Sequence, residues 1–82
     1  MPYVSKQARL RLNHGGRMET AGELNYKLTM LINMYMHYMP QNYQAMNDVI
    51  GALEAAKCEF YRRIVIPYET QKIAENGDVY GT

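Results

Sequence analysis

From Thr20 to Met39 the hydrophobic positions recur at helical steps. Leu24, Leu28, Leu31, Tyr35 and Tyr38 lie three or four residues apart and define one face of a helix. A second face, built from Ile32, Met36 and Met39 with Met30 and Met34 beside it, is also apolar. No formal charge falls between Lys27 and Asp48. A helix on the surface of a small domain carries one apolar stripe. This one is apolar nearly all round after Leu28, yet it is too short to cross a bilayer. The pattern therefore predicts burial against another copy of the chain. Thr20-Ala21-Gly22-Glu23 marks its start with the T-x-x-E spacing of a capping box. Pro40 marks its end, because it disfavours helical geometry at the residue before it.

A second helical run follows, with Asn42 as its N-cap. Met46, Val49, Ile50, Leu53, Ala56, Phe60 and Ile64 give it an apolar face. Glu54 with Lys57, and Glu59 with Arg62 and Arg63, supply charge pairs at helical spacing. Pro67 lacks an N–H and its ring crowds the carbonyl of Arg63, which predicts a kink or a stop there. Tyr68 to Glu75 then resume as helix, with Asn76-Gly77 as the terminator. Near the start of the chain, Ser5 caps a short helix through Leu12, and Asn13 to Arg17, "NHGGR", form a turn. Val79 and Tyr80 are read as an extended arm or a short strand, for which Pro2-Tyr3-Val4 is the natural partner. The expected architecture is all-α and a single domain. Residues 20–39 and 42–66 form an antiparallel helical hairpin, flanked by a basic N-terminal segment (1–19) and a kinked C-terminal segment (67–82). The whole assembles as a homodimer or higher oligomer.

Composition narrows the function classes. A chain of 82 residues makes one domain at most and buries a modest core. Its one cysteine, Cys58, excludes an internal disulfide and fits a reducing cytoplasm. A net charge of +1 argues against a general nucleic-acid coat. The first residues do not form a leader pattern, and no membrane association is expected. The 8 tyrosines against 1 phenylalanine, together with 7 methionines, suit adaptable binding surfaces.

Catalysis finds no support. His14, His37 and Cys58 lack a matching nucleophile or base at a recognisable spacing, so Cys58 is read as a small packing residue. No metal-ligand spacing is present, and neither metal nor cofactor is expected. Two features admit anion binding. The glycines of "NHGGR" either cradle a phosphate or only make the turn. In "EFYRRIVIPYE", Arg62 and Arg63 diverge on a helix, so one pairs with Glu59 and the other is free. Tyr61 and Tyr68, seven residues apart, share a face if the helix persists through the proline. Arginine would hold a phosphate while tyrosine stacks on a base, or the segment is a solvated helix end. Asn25 and Asn47 are polar positions inside apolar runs, which either fix helix register or face a ligand. The candidate ligand-binding residues are thus Arg62, Arg63, Tyr61 and Tyr68, followed by Asn25, Tyr26, Asn47 and Tyr80.

One resemblance adds to this. Met1-Pro2-Tyr3, "LNY" at 24–26, "NDVIG", "LEAAK", "EFYRR", "PYE", Lys72 and "ENGDVY" occur in this order. In these words the chain resembles a family of small, mostly uncharacterised proteins of bacteriophages and prophages. The resemblance implies an accessory protein of the host bacterial cytoplasm and carries no catalytic motif. By analogy of class, it implies a sponge that sequesters a nucleotide immune signal. The alternative is an interaction protein that inhibits a host or phage protein through its methionine- and tyrosine-rich helix.

Overall fold

The computed structural model describes residues 4–80. Four α-helices follow one another: α1 (Lys6–Asn13), α2 (Ala21–His37), α3 (Tyr43–Phe60) and α4 (Ile66–Asn76). A π-helical segment, Tyr61–Val65, joins α3 to α4. There is no strand among the described residues, so the fold is all-α. Val79 and Tyr80 are exposed and make no strand, and Pro2 and Tyr3 of their expected partner lie outside the described residues. The chain divides into two compact units, Met1–Ala45 and Met46–Thr82, with the boundary in the first turn of α3. The antiparallel pairing of 20–39 with 42–66 spans both units and is kept as an expectation.

Unit 1 is organised by its caps. Ser5 Oγ accepts from the Ala8 N–H at 3.1 Å and opens α1. The "NHGGR" turn closes it. Gly15 sits at φ +89°, Gly16 N–H donates to the Arg11 carbonyl at 2.9 Å, and Gly15 N–H donates to Leu12 at 3.1 Å. This pair of bonds is a Schellman motif. A Cβ on Gly16 would stand 2.5 Å from Arg11 Cγ and 2.7 Å from its carbonyl oxygen. Both glycines are therefore required by the turn, and both their N–H groups are engaged. The turn reading of "NHGGR" holds, and a phosphate cradle from these N–H groups does not.

Thr20 Oγ1 accepts from the Glu23 N–H at 3.1 Å, as the capping box predicts. The return bond differs: Glu23 Oε1 accepts from the N–H of Glu19, at 2.9 Å, one residue earlier than the expected Thr20. Asn42 Oδ1 accepts from Ala45 N–H at 2.9 Å, which confirms the third cap. At the far end of α2, Gln41 Nε2 donates to the Met36 carbonyl at 2.7 Å.

The buried residues of this unit are few: Leu12 (fully), Tyr26 and Ala45. Polar bonds between α1 and α2 surround Leu12. Tyr26 OH donates to Asn13 Oδ1 at 2.9 Å, and Lys27 Nζ donates to the Leu12 carbonyl at 3.2 Å. Arg11 Nη2 donates to Glu23 Oε2 at 2.7 Å, and its other terminal nitrogen bonds the Arg17 carbonyl. Arg11 thus ties α1, the turn and the start of α2 together. The apolar face of α2 stays open, with Leu31 and Met34 well over half exposed.

Unit 2 is one long helix. α3, the π segment and α4 have 18, 5 and 11 residues, and the junction residues Phe60, Val65 and Ile66 all keep right-handed helical backbone angles. The helix does not stop at Pro67. The physical reason lies just upstream. In an unbroken α-helix the Pro67 ring would meet the Arg63 carbonyl. A widened turn over Tyr61–Val65, in which the Ile66 N–H reaches the Tyr61 carbonyl, removes that contact. The helix therefore runs past residue 66 to Asn76, where Gly77 at φ +86° ends it. No described residue from Met46 onward is buried.

Candidate functional site

The π segment changes which side chains align. One extra residue in a turn rotates everything downstream by about 100° relative to a plain α-helix. Residues seven apart then diverge, and residues eight apart fall into line. The side chains follow this: Tyr61 OH donates to Glu69 Oε1 at 3.5 Å, across eight residues. Tyr68 instead lies under Lys72, whose Nζ is 5.6 Å from the ring centre. The helix persists through the proline, but Glu69 rather than Tyr68 is the residue in line with Tyr61.

The arginines divide as the spacing requires. Arg62 approaches Glu59 at 4.0 Å, a loose contact between two exposed side chains. Arg63 makes no ion pair among the described residues, and it is exposed. Alongside, Glu54, Lys57, Cys58, Tyr61, Arg62 and Ile66 border an open depression on the helix surface. Lys57 pairs with Glu54 at 3.2 Å, and Cys58 Sγ–H donates to the same carboxylate at 3.4 Å. These contacts hold the Glu54 carboxyl below its ordinary range, the Lys57 hydrogen bond being the larger cause. Cys58 is exposed, which corrects its reading as a packing residue: it stands on the surface as a donor to Glu54.

The remaining candidates do not join this cluster within unit 2 alone. Asn47 is exposed on α3, and Tyr80 is exposed beyond α4 with its N–H on Asp78 Oδ1. Asn25 and Tyr26 belong to α2 in unit 1. Asn25 is exposed, and its carbonyl accepts from Thr29 Oγ1 at 2.9 Å. Tyr26 is 7% exposed and its hydroxyl is bonded to Asn13, so its ring is part of the unit 1 core rather than a free stacking face.

Two clusters escaped the sequence reading. The first is Arg11 with Glu23 and Glu19, whose partners are 12 and 8 residues apart. The Arg11 bond, followed by the Glu19 N–H, holds the Glu23 carboxyl below its ordinary range. The second is a shallow concavity lined by Lys6, Arg9, Leu10, Asn13 and Tyr26. Lys6 and Arg9 stand one helical turn apart and have no counter-ion among the described residues. Their i, i+3 spacing within a basic segment was the available signal. Among the described residues no group of three His, Cys, Asp or Glu is placed to hold a metal ion, and no helix is long and apolar enough to cross a membrane.

Fold and surface together define a small all-helical chain with exposed cationic and aromatic side chains and very little buried core. The chain belongs to the family described as Domain of unknown function (DUF6899), whose model matches residues 1–79. No curated protein and no solved structure matches it.

Proposed function

We propose that this chain is a non-catalytic binding protein that sequesters a small anionic ligand of nucleotide type, and that it works as an assembly of identical copies. The observation that carries the reading is Arg63: an exposed guanidinium without a counter-ion among the described residues, next to the loosely paired Arg62, on a widened turn beside Tyr61. Two adjacent arginines offer planar forks for phosphate oxygens, and tyrosine offers a face for a base. The resemblance to phage and prophage proteins fits an anti-defence role in the host cytoplasm, with a nucleotide immune signal as the ligand. The test is a thermal-shift screen of linear and cyclic adenine and guanine nucleotides, ADP-ribose derivatives included. A rise of several degrees with one ligand, recovered intact afterwards, supports the reading. Arg62→Ala and Arg63→Ala should each abolish most of the rise without loss of helix content. If both keep the rise while Lys6→Ala with Arg9→Ala loses it, the anion sits on α1 instead.

A second reading has its own observation. The α2 face is left uncovered at Leu31, Met34 and Tyr38, which favours a protein partner docked on that helix. A flat nucleotide screen together with stoichiometric capture of one host protein, lost in Leu31→Glu, would select it.

A further inference from the structure

Charge is divided unevenly along the chain. Met1–Ala45 carries Lys6, Arg9, Arg11, Arg17 and Lys27 against Glu19 and Glu23, a side-chain balance of +3. The whole chain is +1, so Met46–Thr82 holds −2. Unit 1 is therefore the half that draws an anion. Within it, Arg11 takes up both acids, Glu23 at 2.7 Å and Glu19 at 3.7 Å. Lys27 Nζ is engaged by the Leu12 carbonyl. Lys6 and Arg9 are left exposed, with no counter-ion among the described residues.

These two cations share a face of α1. Positions 6, 9, 10 and 13 follow the three- and four-residue steps of a helix, and with Tyr26 of α2 they line a shallow concavity. No carboxylate lines it. The polar groups it leaves unengaged are donors. The Lys6 ammonium and the Arg9 guanidinium can only donate. Asn13 turns its Oδ1 to the Tyr26 hydroxyl, at 2.9 Å. That bond fixes the amide, and its Nδ2 keeps two N–H groups that no described residue claims. Leu10, 61% exposed, supplies an apolar surface beside them.

Charge and shape together select the ligand. Two cations one helical turn apart match a dianion, whereas a carboxylate leaves one of them uncompensated. A phosphate monoester is dianionic at neutral pH and presents three terminal oxygens, enough for Lys6, Arg9 and Asn13 at once. Its organic group can lie on Leu10. We propose that this face of α1 is a binding site for a phosphate monoester, with Lys6, Arg9 and the Asn13 amide on the phosphate and Leu10 against the esterified group. The site uses no residue of unit 2, so it does not depend on Arg62 or Arg63.

The test is an NMR titration of the full chain with phenyl phosphate, inorganic phosphate and benzoate. Phenyl phosphate should give saturable shifts at the Lys6 and Arg9 amides and at the Asn13 side-chain amide. It should bind about tenfold tighter than benzoate, which has one charge fewer. Inorganic phosphate should bind more weakly than the ester, because it leaves Leu10 uncovered. Lys6→Ala and Arg9→Ala should each weaken phenyl phosphate by about tenfold, as loss of one charge-assisted bond requires. Helix content should not change, since neither side chain is bonded to a described residue. Asn13→Asp separates binding from folding: it keeps an oxygen for the Tyr26 hydroxyl but puts a negative oxygen where the donor was. Its affinity should fall by more than either alanine variant. Arg62→Ala with Arg63→Ala should leave the titration as it is. Non-saturating shifts spread over every Lys and Arg, benzoate as tight as phenyl phosphate, or wild-type affinity in Asn13→Asp overturns the site. Equal affinity for inorganic phosphate overturns the ester as its ligand. Binding lost in the Arg62 and Arg63 variant but kept in the α1 variants also overturns it and supports the long helix instead, so the two readings fail separately.

Discussion

Glu23 is the residue on which unit 1 turns. Its carboxylate takes one bond from Arg11 and one from the Glu19 N–H, and both favour the charged form. Its pKa is therefore lower in the folded chain than the ordinary 4.5. For a depressed carboxyl, the stabilisation is present above the ordinary value and is lost as pH falls through the lowered folded value. Helix content followed against pH should hold at neutral pH and fall on acidification below that range. Glu23→Gln should lower the melting temperature at neutral pH and make the acid limb shallower. Some slope persists in this variant, because Glu54 is depressed in the same sense by Lys57. An unchanged acid limb would remove Glu23 from this role. Leu12, with no exposure at all, is the other sensitive position. Leu12→Ala should cost about 2–5 kcal/mol, enough to unfold much of so small a unit, measurable by urea titration. Local chemistry made the caps at Ser5, Thr20 and Asn42 legible in the sequence, since each needs only its own side chain and an N–H three residues on. The Arg11–Glu23 bond was not legible, because it joins residues 12 apart through a turn whose geometry the glycines set.

Among the elements, the helix through Pro67 departs most from expectation. A proline inside an apolar periodic run is the usual stop signal, and the sequence offers no separate mark for a widened turn. The chain accommodates the ring by inserting a residue upstream, so the helix continues and its faces rotate. This is why the pairing of Tyr61 with Tyr68 was misread: the seven-residue spacing assumed a constant 3.6 residues per turn. If Pro67 is the cause of the widened turn, Pro67→Ala should let it relax to α-helix with no loss of helix content. Glu69 would then swing about 100° away from Tyr61, and Tyr68 would move towards it. Proton NMR contacts from the Tyr61 ring to residues 68 and 69 report the change directly. Retention of the Tyr61–Glu69 contact in the variant would mean that side-chain contacts along the helix, rather than the proline, hold the turn open.

At the scale of the whole molecule, the governing fact is how little is buried among the described residues: three in unit 1 and none in unit 2. In proteins, helices draw most of their stability from packing an amphipathic face rather than from intrinsic propensity. A helix such as that of unit 2, with Phe60 and Ile64 open to solvent, gains little from its own unit. Its persistence should therefore depend on copies meeting. Dilution provides the check. Across a hundredfold fall in protein concentration, the melting temperature should drop by several degrees, as mass action requires for folding coupled to association. Far-ultraviolet helix signal should fall with it, and Phe60→Glu should reproduce the dilute behaviour at high concentration. Unit 1 responds differently, because its Arg11, Asn13 and Lys27 bonds lie within one chain. Its amides should keep their hydrogen-exchange protection at dilutions where those of Met46 to Asn76 have lost theirs. Uniform protection at every concentration would show that the long helix is held without a second copy, and the reading of the chain as an assembly of identical copies would fall with that result.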